Sequence, residues 1–298
     1  MLDEVLQNLS PTAGKVYVDA TFGNGGYTQA ILNASDCKVI AIDRDPNVIE
    51  RAQELKNKYD SRFEFRTGCF GNIAELINEE VDGIVFDIGV SSMQLDNAER
   101  GFSYAKDAPL DMRMSCNGVS AFDLINTLPE KELADIIYKF GEERKSRQIA
   151  GKIVAARQKS PINTTRELSE IIYSVIHKKP AQPDPATRTF QALRIAVNDE
   201  LGELERGLAG GLSILKPEGR MVVVTFHSLE DRIVKNFFNE KSGRKARVSR
   251  YLPEIADTDD ADFAYCSKAI VPTAQEVERN SRAHSAKLRY AIKKTEMR

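Results

Sequence analysis

The stretch Val16-Tyr-Val-Asp-Ala-Thr-Phe-Gly-Asn-Gly-Gly26, followed by Lys38-Val-Ile-Ala-Ile-Asp43, decides the fold. A short apolar run ends in a glycine turn, a helix-like segment follows, and a second apolar run ends in an acid. This is the pattern of the first β-α-β unit of a nucleotide-binding sheet. Gly23, Gly25 and Gly26 let backbone approach a ligand more closely than a side chain permits. Asp43 stands about twenty residues after the turn, where an acid bonds a ribose hydroxyl pair. An adenosyl ligand is the expectation.

The turn departs from the dinucleotide fingerprint. Gly23-x-Gly25 fits its first half, but Thr28 stands where the third glycine belongs. Asp19, inside the first strand, would repel a pyrophosphate and suits a cationic ligand. S-adenosylmethionine is therefore favoured over NAD, and an NAD-dependent oxidoreductase becomes the lesser reading.

Outward from this unit, strand-like runs recur at 16–21, 38–43, 63–67, 83–88 and 220–227. Helical patterns follow the first three, at 28–33, 46–59 and 71–78. Such alternation predicts a parallel sheet with helices on both faces, binding its ligand beyond the carboxyl ends of the strands. The glycine turn, Asp43, the turn at 68–70 and Asp87 all lie there. After the fourth run the alternation stops, and from Gly118 to Ile195 only helical patterns appear. Thr127-Leu-Pro-Glu130 and Thr164-Thr-Arg-Glu167 read as capping boxes. Asp184-Pro185 opens one long helix toward Leu215. The expected architecture is α/β: a Rossmann-like sheet (1–112 and 197–298) interrupted by an all-helical insertion (113–196) that recognises substrate. Residues 287–293 form a last strand, in a terminal hairpin.

At 298 residues, with 42% hydrophobic and 29% charged side chains, the chain has the composition of a soluble globular protein. A net charge of −2 gives no global attraction for nucleic acid, so any such surface is local. The four cysteines and three histidines are scattered and lack metal-ligand spacing, so no metal is expected. No apolar run is long enough to span a membrane, and the first residues resemble no secretory or transit signal. The expected location is the cytoplasm.

Phe226-His-Ser-Leu-Glu-Asp-Arg232 places His227 and Ser228 at a strand end without a Gly-x-Ser-x-Gly elbow, so no serine nucleophile is expected. Ser228 with Asp231 reads as a helix cap, and His227 as a candidate lining the acceptor pocket. Basic clusters (144–159, Arg188, Arg194, 244–250, 279–289) suggest a phosphate-binding rim, with Phe102, Tyr104 or Phe226 placed to stack a base.

Several long motifs carry a family resemblance. They are Tyr17–Gly26, Ile42–Pro46, Asp87–Asp96, Glu99–Phe102, Pro109–Arg113, Ala186–Ile195, Phe226–Arg232 and Ser285–Arg289. Over nearly its whole length the chain resembles the RsmH (MraW) family of bacterial 16S rRNA (cytosine N4)-methyltransferases. The resemblance implies N4-methylation of a cytidine in the decoding centre of the small ribosomal subunit, with S-adenosylmethionine as donor. By motif, Gly23, Gly25, Gly26, Tyr27, Asp43, Phe70, Asp87 and Gln94 would bind the cofactor. Asp87 and His227 are the catalytic candidates. Phe102, Arg113, Arg188, Arg194, Arg232, Lys287 and Arg289 are candidates for the RNA. The partner implied is 16S rRNA in the small subunit, with no membrane and with a homodimer left open. Three positions depart from the family: Tyr27 replaces its usual His, Met93 its Pro, and Asp184 its His. A noncatalytic RNA-binding or ribosome-assembly protein retaining the cofactor fold is the alternative.

Overall fold

Val39, Ile40, Ala41 and Ile42 are all buried along one strand, as a strand covered by helices on both faces requires. That strand belongs to a computed structural model describing residues 1–179, 182–243 and 261–295. The described residues divide into two compact units, Met1–Gly89 with Leu201–Arg298, and Val90–Glu200.

The first unit is built on seven strands: β1 (Val16–Asp19), β2 (Lys38–Asp43), β3 (Phe63–Thr67), β4 (Val81–Asp87), β5 (Leu215–Thr225), β6 (Phe263–Cys266) and β7 (Lys287–Lys293). Their order in the sheet is β3-β2-β1-β4-β5-β7-β6. The first five pair in parallel, whereas β7 runs antiparallel to both its neighbours. The order reverses between β1 and β4, which is where such sheets bind ligands. The reversed β7, wedged between β5 and β6, sets this sheet apart from the dinucleotide-binding order.

The sheet unit also carries α1 (Leu2–Leu9), α2 (Gly26–Ala34), α3 (Ile49–Tyr59) and the single turn α4 (Ile73–Leu76). Its core joins Val18, Ile40, Ile42, Ile84, Phe86 and Val223 of the strands to Leu204, Leu208 and Leu212. The first residues, read above only as lacking a signal, fold as α1 and bury Val5 and Leu9.

The second unit holds α5 (Ser92–Asp96), α6 (Ala121–Thr127), α7 (Glu130–Gly141), α8 (Ser146–Arg157), α9 (Thr165–Val175) and α10 (Ala186–Asn198). Its separate core gathers Phe102, Leu110, Met112, Ile125, Leu133, Ile137, Ile149, Ile153, Leu168, Ile172 and Phe190. Because residues 102–112 pack there, the unit begins at Val90, not at the expected 113. Gly101 holds the approach to that core with φ 70°, and a Cβ on it would lie 2.2 Å from the carbonyl oxygen of Pro109. Gly101→Ala combines a left-handed backbone with a clash against main chain. We expect a loss of about 2 kcal/mol or more, read as a lower denaturant midpoint.

Two local expectations are corrected. Thr127 does not cap α7; its hydroxyl donates to the Asp123 carbonyl at the end of α6, and Pro129 precedes α7 without a side-chain cap. The long helix toward Leu215 is two helices, α10 and then α11 (Glu200–Ile214), because Asp199 adopts the left-handed conformation between them (φ 49°, ψ 38°). The Thr164–Glu167 capping box is present as read. The last helices of the sheet unit are α12 (Ser228–Lys241) and α13 (Ala274–Arg279). The basic run at 244–250 and most of the acidic run at 257–262 lie outside the described residues.

Candidate functional site

The glycine turn is fixed by two backbone hydrogen bonds and two carboxylates. Phe22 N–H donates to Ile42 O at 2.9 Å, and Gly25 N–H to Phe22 O at 2.7 Å. Gly25 stands at φ 74° as the residue before α2, and a Cβ there would lie 2.7 Å from Leu55 and 2.9 Å from Phe22. No larger residue fits that turn. Gly26 differs: a Cβ on it meets nothing within 4 Å, so its side of the turn opens to solvent.

Asp43 ends β2 and is oriented by main chain. Gly23 N–H donates to its Oδ2 at 2.7 Å and Asp45 N–H to its Oδ1 at 2.9 Å. Each oxygen keeps a further lone pair for a ligand hydroxyl. Burial raises its pKa above the usual carboxylate value, and the backbone donors pull against this.

Asp19 is fully buried at the end of β1. Its Oδ2 accepts from Thr28 N–H at 3.1 Å and Thr28 Oγ1 at 2.7 Å, and its Oδ1 from Thr21 N–H at 3.3 Å. It therefore serves the first turn of α2, where a negative charge complements the helix dipole. Desolvation still pushes its pKa up to about 6. The sequence reading of Asp19 as an acid before the turn gains these partners. Thr28, noted above only as the residue in place of the third glycine, and Thr21 complete the arrangement.

Asp87 ends β4, beside β1. Its N–H donates to Thr21 Oγ1 at 2.8 Å. Its Oδ1 is buried with no hydrogen-bond partner. Burial, with the nearby Asp19 charge, lifts its pKa to about 7, and the Tyr27 hydroxyl acts against that rise. Burial and the Asp87 charge likewise raise the Tyr27 phenol well above its ordinary value, so it stays a proton donor at neutral pH. An unpartnered buried acceptor is costly unless a ligand completes it.

Phe70 opens a short 3₁₀ turn after β3 and meets Phe86 edge-on at 5.9 Å. Glu203, which the sequence reading missed, fixes this turn: its Oε2 accepts from Gly71 N–H at 2.9 Å. Their separation of 132 residues left no local signal.

His227 caps α12 together with Glu230, whose buried Oε2 accepts from Phe226 N–H at 2.8 Å and His227 N–H at 3.2 Å. The cap read at Ser228 and Asp231 is thus one residue earlier. Asp231 instead binds Arg289 at 2.7 Å and Lys287 at 3.2 Å, and against burial these cations hold it below the usual carboxylate value. Arg232 is exposed on α12.

The remaining candidates lie in the helical unit. Gln94 is buried and closes a capping box with Ser91. Phe102 is 7% exposed within the core, so its ring does not present a stacking face. Arg113 is bound to Asp111 at 2.6 Å, and Arg194 grips Glu200 with two bonds of 2.7 and 2.8 Å. Arg188 is 58% exposed, 3.8 Å from Glu143.

A β3-β2-β1-β4-β5-β7-β6 sheet with a glycine turn, an acid oriented by turn amides at the end of β2 and a buried acid at its switch point is that of an S-adenosylmethionine-dependent methyltransferase. More narrowly, the chain belongs to the MraW methylase family, which it matches over residues 1–294. It is 53% identical over 296 residues to the "Ribosomal RNA small subunit methyltransferase H" of Rickettsia bellii, covering 98% of this chain and 97% of that one. To the protein of the same name from Rhodospirillum rubrum it is 50% identical over 305 residues, covering 99% and 93%.

Proposed function

We propose that this protein transfers a methyl group from S-adenosylmethionine to the N4 of a cytidine in the decoding centre of 16S rRNA. The observation that carries the substrate class is the likeness, over nearly the full length of both chains, to relatives named for ribosomal RNA small subunit methylation. A ribosomal substrate puts the enzyme in the cytoplasm. Among the described residues no helix is long and apolar enough to cross a membrane.

The residues present suit the cofactor. Asp43 would receive the ribose hydroxyls on its two oriented oxygens, and the open side of Gly26 gives room for close approach. Asp87 Oδ1 would take an N–H donor, which satisfies the orphaned acceptor. When bound, S-adenosylmethionine supplies an electrophilic methyl on its sulfonium.

The chain's own task is then positional. The exocyclic nitrogen of cytosine is a weak nucleophile because its lone pair is delocalised into the ring. Holding the target amine on line is therefore the main contribution. The base must leave its stack to reach the strand ends. Asp87, or the carbonyls of 87–91, would accept a hydrogen bond from the amine and localise its lone pair. The amine nitrogen would take the methyl as its bond to the sulfonium breaks, and would give up one proton, to Asp87 or to solvent. His227 is spent on the α12 cap, and we assign it a positioning role only.

The decisive experiment is transfer of radiolabelled methyl to small subunits lacking the modification, followed by nucleoside analysis. Label in N4-methylcytidine is expected. Tight cofactor binding without transfer would favour the noncatalytic alternative.

A further inference from the structure

Most basic side chains that the motifs offer to the RNA are already engaged. Arg113 is held by Asp111, Arg194 by Glu200, and Lys287 and Arg289 by Asp231. A guanidinium gripping a carboxylate brings little net charge to a phosphate. The helical unit nevertheless carries another cationic surface. From Arg144 to Arg166 the chain has seven cations and no acid. Three of the seven are used internally: Arg157 caps the carbonyls of Ile125 and Leu128, Lys145 reaches Val175 O, and Arg166 lies 3.5 Å from Asp107. Arg144, Arg147, Lys152 and Lys159 are exposed, and none has an acidic partner among the described residues.

Arg147 and Lys152 lie on α8, with Arg144 in the turn before it and Lys159 in the turn after it. α8 buries Ser146, Ile149, Ala150 and Ile153, which fixes its opposite side toward solvent. Arg147, Gln148, Lys152 and Ala155 are the exposed positions of that side. From Arg147 to Lys152 the helix rises about 7.5 Å, on the order of one phosphate spacing along a strand. Acids stand at the edges of this face: the Glu130 carboxylate lies beside Gly151, and Glu142 and Glu143 directly precede Arg144.

We propose that the exposed face of α8 and the turns flanking it, through Arg144, Arg147, Lys152 and Lys159, bind the phosphate backbone of the ribosomal RNA. This rests on the methyltransferase reading for the identity of the polyanion, while the surface itself follows from charge and exposure. It supplies affinity without reading sequence, because unpaired cations contact phosphates irrespective of the bases. Base selection stays with the sheet unit's strand ends.

The test uses the full chain with Arg147, Lys152 and Lys159 each changed to Gln, and a control with Lys131→Gln and Lys139→Gln on α7. Binding of naked 16S rRNA is measured as a function of salt, alongside cofactor binding and methyl transfer. Each lost phosphate contact should flatten the log–log salt slope by about 0.7 to 0.9. The triple variant should therefore lose roughly two in slope, and bind RNA at least tenfold more weakly at moderate salt. Its KM for RNA should rise while kcat, cofactor affinity and melting temperature hold. The control should match the wild type. An unchanged slope in the triple variant, or an equal fall in the control, overturns the proposal. If the wild type transfers no methyl to rRNA yet the triple variant still shows the lower slope, the surface stands and the methyltransferase reading fails.

Discussion

Asp43→Ala should abolish measurable cofactor binding under conditions where the wild type is saturated. The carboxylate is held from both sides by Gly23 N–H and Asp45 N–H, so its orientation is set before a ligand arrives. Hydrogen bonds from two ribose hydroxyls to a charged acceptor contribute roughly 1.5 to 3 kcal/mol each. Losing both weakens binding by a factor on the order of 100 or more. The same substitution leaves two turn amides without acceptors, so some loss of stability accompanies it. Asp43→Asn separates the effects, because its amide oxygen still serves one backbone donor while the negative charge is gone. Calorimetric titration with S-adenosylmethionine checks both. A Kd for Asp43→Ala within threefold of wild type would remove Asp43 from the ribose site. A parallel titration with NAD should show no binding. Tight NAD binding would restore the oxidoreductase reading that Asp19 and Thr28 argue against.

The sheet was legible in the sequence because its signal is local. β2, β3 and β7 fall on the residues read from their apolar runs, and the acids at the ends of β2 and β4 mark where those runs meet the site. What escaped was set by contacts distant in sequence or by backbone angles. The apolar period runs unbroken through Val197, Leu201 and Leu204, so nothing in it reveals the left-handed turn at Asp199. The cap of α12 was assigned to Ser228, a common capping residue. The strand ends at Thr225, and that puts Glu230 at the third helical position after His227 instead. The engagement of the motif arginines was equally hidden, since Asp231 and Arg289 are 58 residues apart. Composition could name the cations but not say which were engaged, and that distinction narrowed the RNA surface to one of the clusters already read from the sequence, at α8.

Cofactor affinity should depend on pH through Asp87, with a midpoint near 7. In the free protein, burial and the Asp19 charge raise this carboxyl to about 7, so below neutrality it is mostly protonated. A ligand bearing a sulfonium and an ammonium favours the ionised form. Binding must then expel a proton at low pH, and the Kd should rise up to tenfold per unit as pH falls below 7, and level off above. Raised pKa values of this kind act oppositely on the ligand-free fold. The unfolded carboxyl ionises near 4, so the stability Asp87 contributes is greatest below that and is lost as pH climbs to about 7. Asp19, raised to about 6, acts in the same direction over a narrower window. The groups bearing on Asp87 are Asp19 on β1, Tyr27 on α2, Glu230 on α12 and the N-terminal ammonium ahead of α1. Tyr27 is the informative one, since its own phenol is raised well above its ordinary value and stays a donor across this range. Its hydroxyl lowers the Asp87 pKa, so Tyr27→Phe should move the affinity midpoint upward, weakening binding at pH 7 while leaving it near wild type at pH 9. Asp87→Asn should erase the pH dependence and weaken binding at every pH. A flat profile in the wild type, or an unmoved midpoint in Tyr27→Phe, would show that the phenol serves only packing. The shift expected instead means that Tyr27 acts as a fixed donor, drawing Asp87 toward its ionised form by a group that does not itself switch near pH 7.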